Sequence, residues 1–174
     1  MEQTLRLKLF KIIKYRVPRI TREITRMADR RKIVTKKPDE ILDNVFAGHS
    51  EALLDGSKKA KQYLVNYLEL VNSIPNSVKF YAYDLLVEDA YQCDDLVICR
   101  EAVIRAGEYL PEAQAEDRHR FERYLSELRF IERGISIMVD AGEFESALVL
   151  CDLAIKIGLG KAYMAKKASI ERML

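Results

Sequence analysis

Residues that break helices are scarce in this chain, while apolar residues recur three and four positions apart along most of it. Seven Gly and four Pro punctuate 174 residues. Long helices are what such a chain can form, and collagen-like, low-complexity and turn-rich all-β folds are excluded. With 49% hydrophobic and 32% charged residues, the chain is long and apolar enough to bury a sizeable core. No segment alternates as a half-buried strand does. The expected class is all-α, built of antiparallel helical hairpins stacked as a repeat array or an irregular α-solenoid bundle.

Stripes and breakers predict about nine helices. Leu5, Leu9, Ile12 and Ile13 share one face of the first, and Pro18 separates it from a second striped by Val17, Ile20, Ile24 and Met27. A third runs from Pro38 and is expected to end on Gly48. The fourth, from Ser57, places Leu64, Tyr67, Leu68 and Val71 together and stops at Pro75. Asn76 or Ser77 is expected to cap the fifth, and the Asp94-Asp95 pair the sixth, which Pro111 should stop. Phe121, Tyr124, Leu125, Leu128, Ile131, Ile135 and Met138 keep the helical period and predict one long seventh helix up to Gly142. The eighth, closed by Gly158, and a final KAYMAKKASIERML helix complete the count.

The near-neutral total of +2 conceals two opposite segments. Residues 1–37 carry thirteen basic and three acidic side chains, or +10, whereas residues 38–174 carry sixteen and twenty-four, or −8. The expected organisation is a basic helical N-terminal arm, 1–37, and an acidic helical body, 38–174. Within the arm Arg16, Arg19, Arg22, Arg26 and Arg30 line a ridge at helical spacing. Such a ridge serves as a solvated face, as a set of non-specific contacts to nucleic-acid phosphates, or, with LRLKLFKIIKYR, as a membrane-surface helix. Neutralisation by the acidic body is a fourth reading.

The C-terminal third contains a helix-turn-helix pattern. Ile131 and Met138 are apolar positions of a first helix, Gly142-Glu143-Phe144 is the turn, and Ala147, Cys151 and Ala154 give the second helix small residues for close packing. Over residues 131–164 this resembles a tetratricopeptide repeat, a helical hairpin that implies a stacked array and a groove for a peptide or protein partner. Gly134-Ile135 inverts the order of large and small residues usual in that family, and Pro is missing near Leu159. Without that Pro, a stacking angle different from the family's superhelix is expected. A fainter copy lies at 94–107, with Cys99 and Ala102 in the places of Cys151 and Ala154.

Catalytic signatures are missing: the chain has no phosphate loop, no H-E-x-x-H and no G-x-S-x-G. Adjacent carboxylates such as Glu88-Asp89 diverge by about 100 degrees on a helix and do not converge on one substrate atom. His49 reads as an exposed or capping residue between helices and His119 as part of a solvated face. Cys93, Cys99 and Cys151 are an odd number without a C-x-x-C pair, so neither a disulfide framework nor a zinc site is expected. No stretch approaches a membrane span, and Lys8, Lys11 and Lys14 interrupt any secretory apolar core. These features predict a cytoplasmic, non-enzymatic interaction or adaptor module without metal or cofactor, binding a peptide or protein in a helical groove. The alternative is a nucleic-acid-associated protein using residues 1–37.

Overall fold

A computed structural model of the chain describes residues 37–70, 74–116 and 118–174, and every regular element among them is helical. In order they are α1 (Pro38–Leu54), α2 (Ser57–Leu70), α3 (Asn76–Gln92), α4 (Leu96–Glu116), α5 (Arg118–Tyr124), a 3₁₀ turn (Leu125–Glu127), α6 (Phe130–Asp140), α7 (Phe144–Lys156) and α8 (Lys161–Glu171). Residues 1–36, with the arginine ridge and both expected arm helices, lie outside the described residues.

Helix α3 is the centre of the array. Packing on it from different sides are α1, α2, α4 and α6, while α7 pairs with α6 and α8 with α7. Its composition accounts for that position. Val78, Phe80, Tyr81, Ala82, Leu85, Leu86 and Val87 point all round the helix and are all buried, as a helix surrounded by partners requires. The rings of Phe80, Phe121 and Phe130 join α3, α5 and α6 in one apolar core that continues to Ile170 on α8.

Three corners share one hydrogen-bond pattern. After α3, α6 and α7 a residue with positive φ, respectively Asp94 (56°), Gly142 (73°) and Gly158 (88°), turns the chain. The next residue's N–H then reaches back to a carbonyl in the last turn: Asp95 to Ala90, Glu143 to Met138 and Leu159 to Ala154, at 2.8 to 2.9 Å. These are Schellman caps, which use the left-handed residue to satisfy otherwise orphaned carbonyls. Asp95 also caps α4, accepting from the Ile98 N–H at 3.3 Å.

Counted from Asp94 and Gly142, Cys99, Val103 and Ala106 of the α3–α4 corner stand as far along as Ala147, Cys151 and Ala154 of the α6–α7 corner, and all six side chains are buried.

Several expected boundaries are corrected. Gly48 does not end α1, which runs on to Leu54. It provides close approach instead: a Cβ there would lie 2.3 Å from the Tyr63 hydroxyl oxygen. Pro111 lies inside α4, whose flanking residues Leu110 and Ala113 are buried, so core contacts outweigh the missing N–H. Neither Asn76 nor Ser77 caps α3, for Pro75 holds the cap position and no side chain caps it. The long helix through Phe121 and Met138 is broken at residues 125–129, where α6 begins afresh.

Packing at the α6–α7 contact is tight. A Cβ on Gly134 would lie 2.6 Å from Leu150 Cδ1 and 2.9 Å from Val103 Cγ1. Ala147 and Ala154 have no exposed surface. Ala154→Leu is expected to overpack this contact and lower the unfolding free energy by about 1–3 kcal/mol, with a loss in the same direction for Gly134→Ala. Urea denaturation followed by circular dichroism measures both, and midpoints matching the parent chain would contradict the close packing.

Candidate interaction surface

Between α2 and α4, over α3, lies a groove of about 180 Å³. Val65, Leu68 and Glu69 of α2 form one wall, Tyr83 and Leu86 of α3 the floor, and Ile98, Glu101 and Ala102 of α4 the other wall. Each set follows helical spacing, three or four residues apart, which places the side chains of one helix on one line. On the outer lip Val97 and Ile104 stand one turn either side of Glu101 and are 79% and 51% exposed. The apolar surface therefore continues from the groove onto α4. Further along, the Tyr83 and Tyr109 rings stack at 5.9 Å, and the Lys79 Nζ lies 5.2 Å from the Tyr109 ring.

Buried polar contacts hold the floor helix in place. The fully buried Asp84 carboxylate accepts the N–H of Phe130 at 2.8 Å, the N–H of Arg129 at 2.9 Å and the Tyr124 hydroxyl at 2.9 Å. Arg129 donates from Nη1 to the Tyr124 oxygen at 2.8 Å and to the Glu127 carbonyl at 2.9 Å. Burial raises the Asp84 carboxyl above the ordinary carboxylate range, against the opposing pull of the Phe130 and Arg129 amides and the Tyr124 hydroxyl. One turn on, Glu88 accepts two hydrogen bonds from Arg133 at 2.8 and 2.9 Å, which hold its pKa below the usual value. On the other side of α3, Asp89 meets His49 at 2.8 Å. His49 is thus a buried partner rather than the exposed or capping residue expected, because α1 continues past Gly48 and carries it against α3.

The side chains singled out in the hairpin have a packing environment. Ile131, Met138, Ala147, Cys151 and Ala154 are buried, Phe144 is half-buried against the core, and Gly142 forms the corner. They lie within the α6–α7 contact and do not line the groove. Arg16, Arg19, Arg22, Arg26 and Arg30 lie outside the described residues.

Among the described residues no group of three or more His, Cys, Asp or Glu could hold a metal ion, and no helix is long and apolar enough to cross a membrane. Burial pushes the Cys99 thiol up to about 11, so it is protonated at neutral pH and a poor nucleophile.

Sequence reading did not find the groove: Leu68 stands in the apolar stripe of its own helix and Ala102 in the fainter hairpin pattern, and neither pattern links its residue to the other walls. The usable signal was α3 itself, where a helix with apolar residues on every side must be flanked by neighbours on both sides. The class these elements define is an all-α array of packed helix pairs. No family model, curated protein or solved structure matches the chain.

Proposed function

We propose that the chain is a non-enzymatic interaction module that binds a peptide or protein segment in the α2–α3–α4 groove. The observation that carries this reading is the continuous apolar surface from Val65, Leu68, Tyr83, Leu86 and Ile98 onto the exposed Val97 and Ile104. Contiguous exposed apolar surface with a polar rim marks interaction sites. Its volume favours a macromolecular ligand, because 180 Å³ falls short of the roughly 300–1,000 Å³ of small-molecule and cofactor pockets. Such a shallow groove accommodates a few anchoring side chains of a larger partner. The shared α3–α4 and α6–α7 corners support a tetratricopeptide-like character for the array. Three unpaired thiols agree with a reducing, cytoplasmic setting.

A random-peptide display library selected against the full chain tests this reading. Peptides recovered on the parent chain are expected to lose at least about tenfold in affinity, or about 1.4 kcal/mol, on a Val65→Gln/Ile98→Gln variant whose circular dichroism is unchanged. Both positions are only partly buried, so the fold should survive the substitutions. Equal binding to parent and variant, or recovery of no peptide, would refute the groove.

A further inference from the structure

Resting on the groove reading above, we propose that the ligand is a cationic amphipathic α-helix, its apolar stripe lying between α2 and α4 and its Lys or Arg side chains meeting Glu69 and Glu101. Shape gives the helix. The groove is the valley between two helices that both pack on a third, and its walls offer rows of residues three and four apart, as ridges-into-grooves packing uses. Ala102 keeps one wall low and permits a close approach. An extended peptide would bury its own N–H and C=O groups against Val65, Leu68 and Ile98 without partners, whereas a helix satisfies them internally. No strand edge exists among the described residues to pair with an extended segment.

Charge gives the cation. Glu69 and Glu101 stand one on each wall, both exposed, and neither forms an ion pair among the described residues. Neighbouring carboxylates are compensated: Asp95 by Lys61 at 2.6 Å, Glu108 by Arg105 at 2.9 Å, Glu88 by Arg133. No cation lines the groove. Further along α3 and α4, Arg105 pairs with Glu108 and Lys79 lies over the Tyr109 ring. Two carboxylates without an ion pair among the described residues, flanking an apolar floor, fit a ligand with positive charges on both sides of an apolar stripe.

Two synthetic peptides of about five helical turns test the proposal by fluorescence anisotropy with the full chain at low and high salt. Both carry Leu at i, i+3, i+4 and i+7. One has Lys on the flanks, the other Glu. The Lys peptide is expected to bind the parent chain about three- to tenfold more tightly at low salt, the scale of two rim ion pairs. Glu69→Gln/Glu101→Gln should erase that preference, and Val65→Gln/Ile98→Gln should abolish binding of both peptides. Equal binding of the two peptides, lost on Val65→Gln/Ile98→Gln, would overturn the charge inference while the groove reading stands. Binding of library-selected extended peptides but of neither helix would overturn the helical ligand and also leave the groove reading intact. Lys-peptide binding that survives both double substitutions would reduce the effect to general attraction by an acidic surface. A dimer in sedimentation that Val65→Gln/Ile98→Gln dissociates would assign the groove to a second copy of the chain and overturn the proposal.

Discussion

Asp84→Ala is expected to lower the unfolding free energy by about 3–5 kcal/mol, the scale of removing one partner from a buried charge pair, here the Asp84 carboxylate with Arg129 Nη1 at 3.5 Å. Against the roughly 5–15 kcal/mol that holds a typical domain together, that loss leaves little margin. The carboxylate is fully buried and accepts from the amides of Arg129, the cap residue of α6, and Phe130, its first residue, and from the Tyr124 hydroxyl. Ala leaves both amides and the hydroxyl in the core without an acceptor, and each orphaned group costs about 1–3 kcal/mol. Asp84→Asn keeps an acceptor oxygen of the same shape, and its expected loss is smaller. Chemical denaturation followed by circular dichroism gives the free energies, and hydrogen exchange at the Phe130 amide gives the local effect. An Asp84→Ala loss under about 0.5 kcal/mol, the range of ordinary surface substitutions, would show that the network does not hold α6.

Phe80→Ala is expected to cost about 3–5 kcal/mol as well, by removal of a large side chain from a close-packed interior. Its ring has no exposed surface and sits 5.1 Å from Tyr81, 5.8 Å from Phe121 and 5.9 Å from Phe130, the last nearly perpendicular at 86°. Three helices meet on this one ring, so collapse into the void would require all of them to shift. Phe80→Leu, which keeps most of the volume, should lose clearly less. Thermal and urea denaturation of the two variants decide the matter, and equal small losses would mean that the aromatic cluster rearranges freely.

Both substitutions act on the scaffold beneath the groove. Asp84 and Phe80 lie on α3, whose neighbouring face supplies Tyr83 and Leu86 to the floor. Loss of peptide binding in these variants should follow loss of fold, whereas Val65→Gln/Ile98→Gln should separate the two.

Local signals in the chain were read correctly where the interaction they report is itself local. Pro38 stands in the first turn of α1, Asp95 caps α4 and Gly142 takes the left-handed corner after α6. In each case the residue meets its partner within about one helical turn. Signals misread at Gly48, Pro111 and His49 involve residues whose role is settled across the fold: Tyr63 against Gly48, the core around Leu110 and Ala113, and Asp89 forty positions from His49.

By itself the sequence determined that this protein is helical, because apolar period and scarcity of breakers act within a few residues and leave no competing local structure. It also determined where most corners fall. Only the tertiary structure decided where the long amphipathic run breaks, for the Asp84 carboxylate comes from another helix, forty-five positions from Arg129. It alone decided the groove as well. Val65, Tyr83 and Ile98 are unremarkable on their own helices, and they become one surface when α2 and α4 both pack on α3. Periodicity reports which face of a helix is apolar. Which neighbour covers that face depends on contacts between distant parts of the chain, and those are selected by the packing of the whole core.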